Sequence, residues 1–133
     1  MRREFWLAVA AYVVPTFVLG YGWHLKTFAH QYERLEVYRK DMIIPMGLGS
    51  MLIQAVAFAW AYPRLFSTAP DAWLRSALNF GVLFGMLAWS FAVLPFAAKY
   101  RMTSVRAFLA LESAFTAVHF AIVSPLIALA WRQ

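Results

Sequence analysis

The chain has 133 residues, of which 63% are hydrophobic and only 14% are charged. A soluble domain of this size cannot bury so much apolar surface, so the composition excludes an ordinary soluble fold and predicts one membrane domain over residues 1–133. The formal net charge of +6 comes from basic residues between or beside the apolar runs, which indicates contact with lipid headgroups and argues against nucleic-acid binding. The chain contains no cysteine, which excludes disulfides and thiolate metal sites.

Four apolar runs are long enough to cross a bilayer core of about 30 Å as helices. The first continues to Leu25 and has large residues where signal cleavage would need small ones, so we expect an uncleaved span. The sequence thus predicts an all-α integral membrane four-helix bundle. Its expected spans are about 5–25, 42–63, 77–98 and 107–131.

The connection over residues 26–41 differs from the other two, which are short. Apolar side chains recur at helical spacing in and around it, with charged residues at other positions of the same turns. This pattern predicts an amphipathic helix that lies at the membrane surface or extends the first span. A solvated charged loop remains the alternative. The third and fourth spans follow possible helix N-caps at Thr68 and at Thr103 or Ser104.

Each span also contains a proline in or near its interior, at Pro15, Pro45, Pro95 and Pro125. A proline bends or ends a helix, because it lacks an amide hydrogen and its ring clashes with the preceding turn. Lysine and arginine are nearly balanced between the two sides of the predicted bundle, so their distribution leaves the orientation open.

Few polar side chains fall inside these spans, and such groups normally face protein or water. Glu112, Thr116 and His119 are spaced four and three residues apart, which predicts one stripe on the fourth helix. Candidate partners on the other helices are His24, Gln54 and Asn79. The stripe is interpreted either as an interhelical packing network or as a site for a proton or a polar ligand.

Two further patterns concern helix contacts and cofactors. Gly81 and Gly85 form a GxxxG segment, which predicts a close helix–helix approach on the third span. His24 and His119 are not spaced as a ligand pair with each other or with Glu112, so no metal site and no cofactor is predicted. A bound lipid, quinone or pigment remains open.

Several segments resemble small four-helix bacterial inner-membrane proteins catalogued as a domain of unknown function. They are Gly22-Trp23-His24-Leu25, Tyr62-Pro63-Arg64 and Asn79-Phe80-Gly81-Val82-Leu83-Phe84-Gly85. The resemblance implies a multi-pass protein of the bacterial inner membrane and supplies no activity.

Two functions follow as hypotheses. The first is a non-enzymatic accessory or structural subunit that packs against membrane lipids and against other membrane proteins or further copies of itself. The second is a small transporter or lipophilic-ligand-binding protein that uses the stripe from Glu112 to His119. A membrane enzyme with these two residues as acid and base ranks below both, because the chain has no recognised catalytic motif.

Overall fold

The structure is a computed structural model that describes residues 2–133, and no β-strand occurs in that range. Two π-helical turns interrupt or extend the α-helices: the first π turn, Trp23–Thr27, follows α1, and the second π turn, Trp89–Val93, joins α4 to α5. The helices are α1 (Arg2–Gly22), α2 (Ala29–Leu35), α3 (Ile44–Leu65), α4 (Trp73–Ala88), α5 (Leu94–Lys99) and α6 (Val105–Trp131).

Four continuous helical stretches are long and apolar enough to span a membrane, which confirms the predicted all-α membrane bundle. They cover Arg3–Thr27, Ile44–Leu65, Trp73–Lys99 and Val105–Trp131. The shortest has 22 residues, or roughly 33 Å of helix, against a bilayer core of about 30 Å. The third span begins at Trp73, one turn before the predicted start at residue 77.

The bundle is organised around α6, which packs on α1 along one side and on α4 along the other, while α3 packs mainly on α1. The buried core combines alanines with aromatic rings. Aromatic contacts join α3 to α4, including Phe58 and Phe80, whose ring centroids lie 5.4 Å apart. The remaining large apolar side chains face outward, as a bilayer-embedded bundle requires.

The predicted amphipathic helix over residues 26–41 is shorter in the structure. Only α2 is regular after Phe28, and it ends at Leu35 because the next residue, Glu36, has a left-handed φ of 56°. The carbonyl groups at the end of α2 bond to Thr103 instead of to a further helical turn. The Thr103 amide lies 3.1 Å from the oxygen of Leu35, and its hydroxyl donates to the oxygen of Arg34 at 2.7 Å. This contact explains why the helix stops early.

Two predicted helix caps had different outcomes. Ser104 caps α6, because its hydroxyl accepts a hydrogen bond from the Ala107 amide at 3.1 Å. The prediction that Thr68 caps the third span is wrong, since α4 begins at Trp73 after Ala72. Pro70 disfavours the helical conformation of the residue before it, Ala69, and the Thr68 carbonyl accepts from the Gln133 amide at 3.1 Å.

Prolines lie inside helices, at the start of a helix or next to a π turn. Pro15 and Pro125 lie inside α1 and α6, and Pro45 lies in the first turn of α3. Pro95 lies at the start of α5, immediately after the second π turn. A proline ring clashes with the carbonyl four residues earlier, and the wider π turn relieves that clash.

Candidate functional site

Polar side chains from four parts of the chain meet at Glu112, near the α2 end of the bundle. Oε1 of Glu112 accepts from the Tyr32 hydroxyl at 2.7 Å and from the Tyr38 hydroxyl at 3.1 Å, and His24 Nε2 lies 2.9 Å from the same oxygen. These four residues form the Glu112 cluster. The sequence offered His24 as one of several candidate partners of the stripe that begins at Glu112, and the fold brings these two residues into direct contact.

The irregular backbone after α1 positions three of the four members. His24 lies on the first π turn, where its Nδ1 is 3.0 Å from the carbonyl oxygen of Gly20. Tyr32 lies on α2, and its hydroxyl also accepts from Trp23 Nε1 at 3.0 Å. Tyr38 follows the left-handed residue Glu36, which turns the chain at the end of α2.

The cluster is largely shielded from solvent, with side-chain exposure of 21% for His24 and 12% for Glu112. An isolated charge costs several kcal/mol at mid-membrane, so ionisable groups in spans pair with one another. Burial and the neighbouring Glu112 carboxylate both raise the pKa of Tyr32 and of Tyr38. Both hydroxyls therefore remain hydrogen-bond donors well above neutral pH.

His119 belongs to a separate layer deeper in the bundle. It is buried, and its Nε2 lies 2.7 Å from the hydroxyl oxygen of Thr16 on α1. Seven residues along α6 separate it from Glu112, or roughly 10 Å of helical rise. The predicted stripe therefore faces α1 at both ends, but its ends contact different partners and do not form one acid–base pair.

The other sequence candidates divide between packing and the outer surface. Thr116 donates its hydroxyl to the backbone oxygen of Glu112 at 2.9 Å, so it does not join the cluster through its side chain. Gln54 is exposed and accepts from the Tyr12 hydroxyl at 2.6 Å. Asn79 is exposed on α4 and makes no hydrogen bond with its side chain among residues 2–133, which places it outside the site.

Gly81 and Gly85 lie where α4 approaches α6, in agreement with the predicted close contact. A Cβ atom added to Gly81 would lie 2.7 Å from Oγ of Ser124, and one added to Gly85 would lie 3.4 Å from the ring of Phe120. The GxxxG segment is therefore used within the chain rather than left free for a partner helix.

A groove of about 600 Å³ runs along the outer side of this α4–α6 contact. Its walls are mostly apolar and include Leu78, Val82 and Met86 from α4 and Ala117 and Ala121 from α6. Ligand pockets in proteins commonly measure 300–1,000 Å³, so the groove is in the range of a small-molecule site. The groove opens between two of the candidate membrane spans.

The groove also has polar side chains in its lining. Thr116, Ser113 and Ser124 line it, and Trp89 donates its indole N–H to the Ser113 hydroxyl at 2.8 Å. Ser124 is buried, and its Oγ has no hydrogen-bond partner in residues 2–133. Within the same range, no three His, Asp or Glu side chains are placed to hold a metal ion.

No known protein family, curated protein or solved structure matches this chain.

Sequence reasoning missed the two tyrosines that bind Glu112. Tyr32 belongs to the apolar stripe that helical spacing gives in the connection over residues 26–41, and the hydroxyl of a buried tyrosine needs a partner. Tyr38 lies outside that stripe, and its contact with Glu112 depends on the turn at Glu36. The Trp89–Ser113 bond was missed too, because the two residues lie on different spans.

Proposed function

We propose that the protein is a non-enzymatic multi-pass membrane protein that binds the hydrocarbon chain of a membrane lipid in the groove between α4 and α6. The groove itself is the observation that carries this proposal. It has the volume of a ligand site, it lies between two spans, and apolar side chains dominate its walls.

The position of Arg75 favours a lipid over an apolar molecule without a headgroup. Arg75 precedes the groove residues Leu78, Val82 and Met86 by three, seven and eleven positions, so it lies on the same side of α4 at the membrane edge. Its side chain is exposed and forms no ion pair within residues 2–133. A guanidinium at this place attracts an anionic headgroup while the chain enters the groove.

Native mass spectrometry of the protein extracted in a mild detergent tests this proposal. Wild type is expected to retain about one lipid per chain, identified after release. Ala117→Trp should lose that lipid, because the indole fills the groove. Ala57→Trp is the matched control, since Ala57 is exposed on α3 and does not line the groove.

Equal lipid retention in the two tryptophan variants would reject the groove as the binding site. Retention of a quinone or a pigment in place of a lipid would keep the site and change its ligand. A polypeptide that is displaced by Ala117→Trp would instead identify the groove as a docking surface for a partner helix.

A second candidate function, an accessory or structural subunit, is favoured by the first half of α3. All residues from Asp41 to Leu48 are exposed. A Cβ atom added to Gly47 or Gly49 would meet nothing within 4 Å. Small residues let helices approach closely, so this side of α3 suits contact with another membrane subunit or with a second copy.

Because the chain has no native cysteine, single-cysteine cross-linking tests this candidate directly. Gly47→Cys should give cross-linked species in native membranes, whereas Val18→Cys on the exposed side of α1 should not. Equal yields from the two variants would argue against a specific contact at α3.

The proposed location in a bacterial inner membrane is supported only by the family resemblance.

A further inference from the structure

The contacts of His24 determine how many protons the His24–Glu112 pair holds. Nδ1 lies 3.0 Å from the Gly20 carbonyl oxygen, and a carbonyl oxygen only accepts, so Nδ1 carries a hydrogen. Nε2 lies 2.9 Å from Oε1 of Glu112. With an ionised carboxylate, that distance is favourable only when Nε2 also carries a hydrogen. The pair therefore holds one proton more than a neutral imidazole beside an ionised carboxylate.

The two tyrosines place that extra proton on His24. Their hydroxyls both donate to Oε1 of Glu112, the same oxygen that His24 contacts. An oxygen that receives hydrogen bonds from three groups is best satisfied when it carries charge, because charge-assisted hydrogen bonds are the stronger ones. The favoured state is thus an imidazolium at His24 and a carboxylate at Glu112, which together are neutral.

Other ionisable side chains on the surrounding elements do not compete for this proton. Lys26 shares the first π turn with His24, but its ammonium lies over the Tyr21 ring at 5.6 Å. Lys99 on α5 lies over the Tyr100 ring at 5.8 Å. The remaining ionisable residues of α2, of the segment carrying Tyr38 and of the start of α6 with its preceding loop are exposed: His30, Glu33, Arg34, Glu36, Arg39, Lys40, Asp41, Arg101 and Arg106. The second π turn and α5 contribute apolar side chains to this end of the bundle.

We infer that His24 and Glu112 form a binding site for one proton. This proton stabilises the packing of α2 and of the segment carrying Tyr38 against the end of the bundle. The proton acts on this packing because the hydroxyls of Tyr32 and Tyr38 both donate to Glu112, in addition to the bonds that Thr103 makes to the end of α2. This inference does not depend on any ligand in the groove.

Loss of this proton and binding of a second proton both weaken the packing of α2 against the bundle. When the proton leaves, the Nε2 lone pair of His24 faces the carboxylate at 2.9 Å and the contact becomes repulsive. When a second proton binds, Glu112 becomes a neutral acid whose carbonyl oxygen accepts fewer and weaker hydrogen bonds. Docking of α2 is therefore expected to be strongest in an intermediate range of pH.

Solid-state nuclear magnetic resonance of ¹⁵N-histidine-labelled protein in phosphatidylcholine bilayers tests the proton count. His24 is expected to be an imidazolium through the range where α2 is docked, and the His24→Asn spectrum assigns its signals. A neutral His24 with an ionised Glu112 in that range would overturn the inference. This measurement uses the wild-type chain, so it does not depend on whether a variant folds.

Amide hydrogen exchange over residues 29–40, in the same bilayers, tests whether the proton stabilises the packing of α2 and the segment after it. After correction for the intrinsic effect of pH, wild type should be most protected at intermediate pH. Glu112→Gln should exchange about tenfold faster or more and lose that pH dependence, because a glutamine cannot carry the counter-charge. Glu33→Gln is the matched control, since Glu33 is exposed on the same short helix.

Tyr38→Phe adds a milder variant that leaves the His24–Glu112 pair in place. It should lower protection while retaining the pH dependence, because only one donor to Glu112 is lost. Wild-type protection that does not change with pH would overturn the inference. Equal exchange in Glu112→Gln and Glu33→Gln would overturn it as well.

Discussion

Thr16 and His119 join the first and last spans at the centre of the bundle, with Oγ1 of Thr16 2.7 Å from Nε2 of His119. Both side chains are buried, with 5% and 7% of their surface exposed. Tyr12, Phe115 and Phe120 surround the imidazole with aromatic rings. This contact gives one of the few polar groups in the interior a partner, so it contributes to the pairing of α1 with α6.

Thr16→Val should lower the free energy of unfolding by about 1 kcal/mol, because it removes the partner of a buried imidazole nitrogen. Unfolding by sodium dodecyl sulfate in mixed micelles measures the change. Thr27→Val is the control, since Thr27 is exposed at the end of the first π turn. Equal effects of the two substitutions would show that the buried contact contributes nothing specific.

Gly81→Val should destabilise the bundle by about 1–3 kcal/mol, because its side chain would collide with Ser124. Gly49→Val introduces the same β-branched side chain into a helix where a Cβ meets nothing within 4 Å. The difference between the two unfolding free energies therefore isolates packing from helix propensity. A difference near zero would mean that α4 and α6 do not approach closely at Gly81.

Ser104→Ala should cost about 1 kcal/mol, because the first turn of α6 loses its side-chain cap. Ser104→Asp should restore most of the loss, since a carboxylate also accepts from the amides of a helix N-terminus. The same micelle titration measures both variants. A Ser104→Asp variant as unstable as Ser104→Ala would point to a role for the hydroxyl other than capping.

Stability is expected to fall as pH rises above about 10, the ordinary pKa of tyrosine. Burial and the Glu112 carboxylate raise the pKa of Tyr32 and Tyr38 in the folded state. The unfolded chain releases these protons at a lower pH than the folded chain, so a rising pH favours unfolding. Unfolding free energies at several pH values from 9 to 11 measure the slope.

The Tyr32→Phe/Tyr38→Phe double variant should have a shallower slope over that range, although it should be less stable than wild type at pH 9. Comparing slopes removes the contribution of tyrosines elsewhere in the chain. A slope identical to that of wild type would show that folding does not raise the pKa of these two hydroxyls.

Composition and the length of the apolar runs determined the four spans, because bilayer thickness sets the length of a crossing helix. A cap at Thr103 or Ser104 and the close approach at Gly81 were also readable, since each depends on a short pattern within one segment. In these cases, residues close together in the sequence determine the local structure.

Tertiary structure alone decided which polar groups meet. His24 and Glu112 are 88 positions apart, and their contact depends on the first π turn and on the pairing of α1 with α6. Thr103 ends α2 from 69 positions away, so the local amphipathic pattern predicted too long a helix. Glu112 and His119 both contact the first span, but helical spacing contains no information about the partners that divide them into two separate layers.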